Sequence, residues 1–196
     1  MALRIYGNRS LKTLPGKNTR PTPARVREAL FNIWQGSIPD CRWLDLCAGS
    51  GAMGAEALCR GAQSITGIEQ ASRACAIIQQ NWQQVARPNQ QIQLLKGHIL
   101  KHLPQLQGQQ FDRIYFDPPY ASDLYHPVLK AIASFNLLAD DGELAVEHQT
   151  DIHPPQDIPA TRSAQQTIPG LTAYRCKTYG LTSITFYSLL LPSVPS

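Results

Sequence analysis

A strand that runs into a glycine-rich turn and then into a helix constrains this chain more than any other feature. The stretch Leu44-Asp-Leu-Cys-Ala-Gly-Ser-Gly-Ala-Met-Gly54 begins apolar and spaces Gly49, Gly51 and Gly54 as G-x-G-x-x-G. Such glycines let the backbone approach a ligand at the amino end of the following helix. A tight turn without a ligand accounts less well for a strand before it and a helix after it. Glu69 ends the next apolar run, eighteen residues beyond Gly51. An acid there accepts from ribose hydroxyls, so the pair suits any ribose-bearing cofactor, a dinucleotide among them.

From residue 42 onward strand and helix patterns alternate. Strands are expected at 42–47, 64–69, 91–96, 111–117 and 142–149, and helices at 52–60, 71–86, near 98–105 and at 122–136. Ala74, Ile78, Trp82 and Val85 form a helical stripe of core character. This alternation predicts an α/β fold, a mostly parallel sheet with helices on both faces. The proline-bearing stretch 151–169 reads as a long loop. After it, 172–178 and 181–190 predict an antiparallel C-terminal hairpin turning at Tyr179-Gly180. At the other end, Arg4 to Leu14 reads as a small β-hairpin with Gly7-Asn8 as its turn. A helix follows, with Thr22 as N-cap, Pro23 at the first helical position and Val26, Leu30, Ile33 and Trp34 as its apolar face.

The run Phe111-Asp-Arg-Ile-Tyr-Phe116 leads directly into Asp117-Pro118-Pro119-Tyr120. Prolines fix φ and remove amide donors, so this strand end is a stiff ledge at the carboxyl edge of a sheet. It offers the Asp117 carboxylate, the Pro118 carbonyl and the π face of Tyr120. An exocyclic amine on a nucleobase has two N–H donors beside a stacking surface and matches that array. Asp117 also stabilises positive charge developing on the nitrogen. A ledge of this kind has no role in hydride transfer. With Asp45 inside the first strand, where its charge can face the methionine ammonium, it favours S-adenosylmethionine over NAD as cofactor.

Length and composition agree with a compact enzyme. The 196 residues suit one domain with a small appendage, and 43% hydrophobic against 16% charged residues argues against disorder. Cys41, Cys47, Cys59, Cys75 and Cys176 are odd in number and contain no C-x-x-C pair, as expected of reduced cytosolic thiols. No apolar run reaches the length of a membrane span, and Met1-Ala-Leu-Arg lacks the apolar core of a secretion signal. A cytoplasmic protein with no membrane partner is expected.

The formal charge of +4 is unevenly placed. Residues 1–35 carry seven basic side chains against Glu28 alone, a net +6, and the other 161 residues have a net −2. A basic cluster is often only a solvated arm. Beside an amine-binding ledge it suits a phosphate backbone, which makes Arg4, Arg9, Lys12, Arg20 and Arg25 candidate nucleic-acid contacts. The expected organisation is therefore 1–35, a basic hairpin and helix for backbone contact, followed by 36–196, a cofactor-binding catalytic domain. His98 and His102 lie four apart, but no third ligand is suitably spaced, so no metal site is expected. Cys47 reads as a small apolar residue rather than a nucleophile.

With these residues in view, the chain resembles the RsmD-type 16S rRNA guanine-N2 methyltransferases of bacteria over nearly its whole length. The most specific part is Arg20-Pro-Thr-Pro-Ala-Arg-Val-Arg-Glu-Ala-Leu-Phe-Asn32, with Leu44 to Gly54, Glu69, Asp117 to Tyr120 and Lys177-Thr-Tyr-Gly180 also matching. The resemblance implies a seven-stranded Rossmann-like class I methyltransferase fold with an N-terminal hairpin and helix. It implies S-adenosylmethionine held by Asp45, Ala48, Gly49, Ser50, Gly51, Glu69, His98 and Ile99, and Asp117, Pro118, Pro119 and Tyr120 as the catalytic ledge. The implied substrate is a guanine of 16S rRNA, presented on an assembling small ribosomal subunit to a monomeric enzyme. One departure stands out: where many such enzymes place an acid for the adenine amine, Gly97 is followed here by His98. A neutral imidazole has one acceptor nitrogen and could substitute, and the Ile99 amide could pair with the ring.

Other readings use the same residues. A DNA amino-methyltransferase would need a target-recognition domain, which this chain lacks. A protein glutamine methyltransferase usually carries Asn at the position of Asp117. A non-catalytic RNA-binding module with a vestigial cofactor fold is opposed by the intact glycines and ledge.

Overall fold

The computed structural model describes residues 3–13, 23–120, 122–151 and 168–190. Lys17, Arg20, Thr22 and nearly all of the expected 151–169 loop lie outside these residues. Two compact units run Met1–His102 and Leu103–Ser196, so the N-terminal hairpin and helix belong to the same unit as the glycine turn. Seven strands, β3 to β9, form one mixed sheet.

In the first unit, β1 (Leu3–Ile5) and β2 (Arg9–Leu11) pair antiparallel around Tyr6-Gly7-Asn8, as the sequence predicts. Helix α1 (Ala24–Ile33) starts one residue later than expected. Pro23 has an extended ψ of 139° and stands at the cap, its carbonyl accepting from Val26 at 2.9 Å and Arg27 at 3.1 Å. The buried face of α1 is Val26, Arg27, Leu30 and Phe31, with Ile33 only half-buried. Phe31 stacks on Trp43 at 5.4 Å, and Trp34 meets the same indole edge-on at 5.6 Å.

Strands β3 (Arg42–Leu46), β4 (Ser64–Glu69) and β5 (Gln91–Lys96) are parallel, connected by α2 (Ala52–Cys59) and α3 (Ser72–Val85). The stripe Ala74, Ile78, Trp82 and Val85 is buried as predicted. Trp82 also explains much of the glycine pattern. A Cβ on Gly54 would stand 2.7 Å from the indole, one on Gly51 would stand 2.8 Å from it, and Gly67 of β4 lies closer still. Two of the three motif glycines therefore make room for a tryptophan. Helix α4 (Ile99–His102) is a single turn that tightens to a 3-10 helix over Leu103–Leu106. Pro104 has no N–H for an α ladder there.

In the second unit, β6 (Phe111–Phe116) pairs parallel with β7 (Leu138–Gln149) across α5 (Tyr125–Ser134). Strand β7 starts four residues earlier than the sequence suggests. Its register jumps from Phe111↔Leu138 to Arg113↔Glu143, so Asp140-Asp141-Gly142 is a bulge rather than a turn. Strand β9 (Thr182–Leu189) runs antiparallel to β7 and to β8 (Leu171–Tyr179), the predicted C-terminal hairpin. Gly180, at φ +70°, supplies its turn.

Candidate active site

The turn after β3 is strained as well as glycine-rich. Cys47 holds φ +61° and Gly51 holds φ +71°, and the Gly51 amide closes the turn on the Ala48 carbonyl at 2.7 Å. A non-glycine residue in the left-handed region costs on the order of 1–3 kcal/mol, so the surroundings must enforce it. The Trp82 indole N–H donates to the Gly51 carbonyl at 2.8 Å. Asn81, fully buried on α3, donates to the Ser50 carbonyl at 3.0 Å. The Gly49 amide donates to Glu69 Oε2 at 2.9 Å, and the Ala71 amide to Glu69 Oε1 at 2.8 Å. Glu69 thus lies against the half-exposed turn Cys47–Ser50, its carboxylate fixed by two amides and still able to accept on its remaining lone pairs. A half-open backbone turn with an adjacent carboxylate fits the ribose end of a nucleoside cofactor.

Asp45 has a different place from the one expected. It is 1% exposed, and Oδ2 accepts the Gly54 amide at 3.0 Å. Burial pushes its carboxyl up to about 7, against the Gly54 hydrogen bond, and Glu69 adds to the rise. It ties β3 to the amino end of α2 instead of presenting an open carboxylate to an ammonium.

His98 is also used locally. Its Nδ1 accepts the Leu100 amide at 3.3 Å and its carbonyl accepts the Lys101 amide at 3.0 Å, so it caps α4. With Nδ1 accepting, a neutral ring carries its proton on Nε2, a donor. That arrangement engages the acceptor nitrogen of the ring at the start of α4. Ile99 is the first residue of α4, where an amide has no intrahelical acceptor.

The ledge stands at the carboxyl end of β6, with Asp117 and Tyr120 half-exposed and Pro118 buried. The Pro119 carbonyl accepts the Ser122 amide at 2.8 Å and turns the chain. Tyr120 is anchored at its far end: the hydroxyl donates to Glu147 Oε1 at 3.1 Å and lies 3.5 Å from Thr182 Oγ1. Tyr115 of β6 donates to the other oxygen of Glu147, and the Tyr125 hydroxyl donates to its backbone carbonyl at 3.4 Å. Burial pushes the Tyr120 phenol up to about 12, with the Glu147 and Asp117 charges acting the same way. Burial also raises the Glu147 carboxyl, while its two phenol hydrogen bonds oppose the rise. The sequence reading missed Glu147; its signal is an acid within the apolar run Leu144-Ala-Val-Glu147 of a central strand.

The N-terminal lobe is basic but partly engaged. Arg4 donates to Asn8, Arg9 donates to the Val85 carbonyl at 3.2 Å, and Lys12 Nζ to Gln80 at 3.0 Å, all three remaining exposed. Arg25 is exposed. Arg27, counted in the +6, is buried in an ion pair with Glu56 at 2.6 Å and donates to the Arg4 carbonyl at 2.7 Å. Among the described residues no cluster of metal-binding side chains occurs, and no helix is long and apolar enough to cross a membrane.

A glycine turn and an acid at successive parallel strand ends, a D-P-P-Y ledge and an antiparallel C-terminal hairpin define the class I methyltransferase architecture. The family model described as conserved hypothetical protein 95 matches residues 3–188. Ribosomal RNA small subunit methyltransferase D of Escherichia coli K12 is 31% identical over 178 residues, 88% of each chain. Its Haemophilus influenzae counterpart is 31% identical over 148 residues, 75% of this chain and 77% of that one. Among solved structures, the E. coli protein yhhF superposes with a TM-score of 0.77 at 27% identity, covering 96% of this chain and 98% of that one. The chain belongs to the RsmD-type methyltransferase family.

Proposed function

We propose that this protein transfers a methyl group from S-adenosylmethionine to the exocyclic N2 amine of a guanine in 16S rRNA. The observation that carries the reading is the Asp117–Tyr120 ledge, whose aromatic ring is pinned through Glu147, in a chain of the RsmD-type family. When bound, the cofactor supplies an electrophilic methyl on a sulfonium. Glu69 would accept from its ribose hydroxyls, the backbone of Ala48, Gly49, Ser50 and Gly51 would line it, and the Ile99 amide would serve its adenine. Asp45 acts on this site indirectly, by holding the turn against α2.

Tyr120 stacks on the target base. Asp117 and the Pro118 carbonyl accept the two N–H groups of the amine, which weakens delocalisation of its lone pair into the ring and aims it. Asp117 then stabilises the charge that grows on nitrogen, and alignment contributes the rest. The alkylated nitrogen is acidic and releases its proton to water. Arg4, Arg9, Lys12, Arg20 and Arg25 grip the RNA backbone, with the target guanine unpaired or extruded. The protein acts in the cytoplasm as a monomer on an assembling small subunit.

The test is incubation with labelled S-adenosylmethionine and total RNA, DNA or protein, followed by mapping of the modified rRNA nucleotide in a deletion strain. Label in guanine N2 of 16S rRNA is expected, and label confined to DNA or protein refutes the proposal. Asp117→Ala should lower single-turnover rates by on the order of 10²–10³, as for loss of one preorganised transition-state partner. Its affinity for S-adenosylhomocysteine should stay near that of the wild type. A near-wild-type rate for Asp117→Ala would remove the ledge from the chemistry.

A further inference from the structure

We infer that the β8–β9 hairpin is a second RNA-contact surface, with Arg175 and Lys177 on the phosphate backbone and Leu181 entering the base stack beside the extruded guanine. The inference rests on the rRNA reading above. Residues 171–190 contain Arg175 and Lys177 and no acidic side chain. The two cations are two residues apart on a strand, so they share a face about 7 Å apart. Both are exposed, and among the described residues neither joins a salt bridge.

The register fixes which face that is. Lys177 lies opposite Ile184, and Ile184 lies opposite Glu147; Tyr179 lies opposite Thr182, and Thr182 lies opposite Gln149. Directly opposed residues project from one face of a sheet. Lys177 and Tyr179 are therefore on the face of Glu147, the carboxylate that pins Tyr120. Thr182, the first residue after the turn, brings its hydroxyl to 3.5 Å from that of Tyr120. The hairpin tip and the target ledge thus occupy one edge and one face.

Leu181 forms the apex and is 83% exposed. The tip beneath it is stiff. The Thr150 amide donates to the Leu181 carbonyl at 3.1 Å, and the Thr150 hydroxyl to the Gly180 carbonyl at 3.0 Å. Ser183 donates to Thr150 Oγ1 at 3.2 Å and its hydroxyl lies 3.0 Å from that of Thr178. A single exposed leucine ordinarily means little. On a rigid tip beside a ledge for an extruded base, with Asp151 as the acid next to its Thr150 anchor, it has the size and place to fill the gap left in the stack. A protein partner would call for a wider apolar patch at the apex, whereas the other exposed large apolar residues of the hairpin, Tyr174 and Leu190, lie toward its far end.

The experiment uses small subunits from a strain lacking the gene and, once the guanine is mapped, an RNA fragment with 2-aminopurine at that position, which retains the N2 amine. Leu181→Ala should lower kcat/KM on the particle about tenfold and reduce the fluorescence rise that marks base extrusion. Its melting temperature and S-adenosylhomocysteine affinity should match the wild type. Arg175→Gln with Lys177→Gln should reduce the slope of log affinity against log salt by about 1.4, at roughly 0.7 per single-strand phosphate. Wild-type kinetics, fluorescence and salt slope in both variants, with the wild type active on rRNA, overturn the inference alone. A wild type inactive on rRNA overturns the underlying reading and this inference with it.

Discussion

Glu147 is a buried carboxylate held between the hydroxyls of Tyr115 and Tyr120, and in the proposed function it acts on the target base through the Tyr120 ring. Glu147→Gln keeps the volume but replaces a charge-assisted hydrogen bond with a neutral one, worth roughly 1 kcal/mol less. We expect kcat/KM for RNA to fall about five- to tenfold, with cofactor affinity unchanged. Tyr120→Phe removes the same bond, so the double variant should be no worse than the poorer single one. Additive losses would show that Glu147 does not act through Tyr120. Asp45 supports a prediction on stability. Burial pushes its folded-state carboxyl up to about 7 from the ordinary 3.8, so between these values the folded chain binds a proton that the unfolded chain has released. Stability therefore falls as pH rises from about 4 to 7, by at most on the order of 4 kcal/mol. Asp45→Asn should flatten that part of the curve in denaturant titrations; an unchanged profile would sink the assignment. The strand-end positions of Asp117–Tyr120 and Glu69 were legible in the sequence because each is a local pattern. The placements of Glu147 and Arg27 were not, since their partners Tyr115 and Glu56 lie 32 and 29 residues away.

Among the elements, α3 does more than cover the sheet. Trp82 occupies the space that Gly51, Gly54 and Gly67 leave open, and its indole N–H holds the turn carbonyl at 2.8 Å. Adjacent to it on α3, Asn81 links Ser50 to the Lys12 backbone, accepting the Lys12 amide at 2.9 Å and donating to the Lys12 carbonyl at 3.0 Å. Gly54→Ala should accordingly destabilise the fold, although alanine favours a helix interior by about 1 kcal/mol. Forcing a methyl against a packed indole costs typically 1–3 kcal/mol. S-adenosylhomocysteine affinity should fall too, because the turn moves with α2. Trp82→Leu in the Gly54→Ala background should recover part of the loss, and calorimetric melts of the two singles and the double decide it. Strict additivity would show that the glycine answers to something else. The sequence pattern located α2 and α3 to within one residue at each end, α3 because it is long and periodic and α2 because the glycine turn marks its start, and it identified Trp82 as core. It assigned the glycines to the ligand because the steric demand of a tryptophan some thirty residues on leaves no local mark. The α1 start and the first third of β7 were misjudged for a similar reason: a proline fits both cap and first turn, and only the partner strand shows that β7 begins before its Asp-Asp-Gly bulge.

For the molecule as a whole, the uneven charge predicts how binding should respond to salt. Residues 1–35 carry a net +6 by sequence, but Arg27 is buried against Glu56 and cannot reach a phosphate. Arg4, Arg9 and Lys12 remain exposed on the hairpin, and each also makes a local hydrogen bond. Neutralising phosphates releases counterions, with a slope near 0.7 per phosphate on single strands. Replacing these three by glutamine should therefore reduce the salt slope by about 2 and weaken RNA binding at low salt far more than at high salt. Glutamine also removes the Arg9 contact to the Val85 carbonyl at the end of α3, so a drop in affinity alone would not separate charge from hairpin anchoring. A second triple variant, with lysine at 4 and 9 and arginine at 12, keeps the charge while changing the contacts, and it should retain the wild-type slope. Cofactor binding should be the same in all three proteins. A basic arm that serves only solubility predicts equal slopes throughout, and titrations of an rRNA fragment at several salt concentrations showing that result would end the RNA-contact role of the lobe.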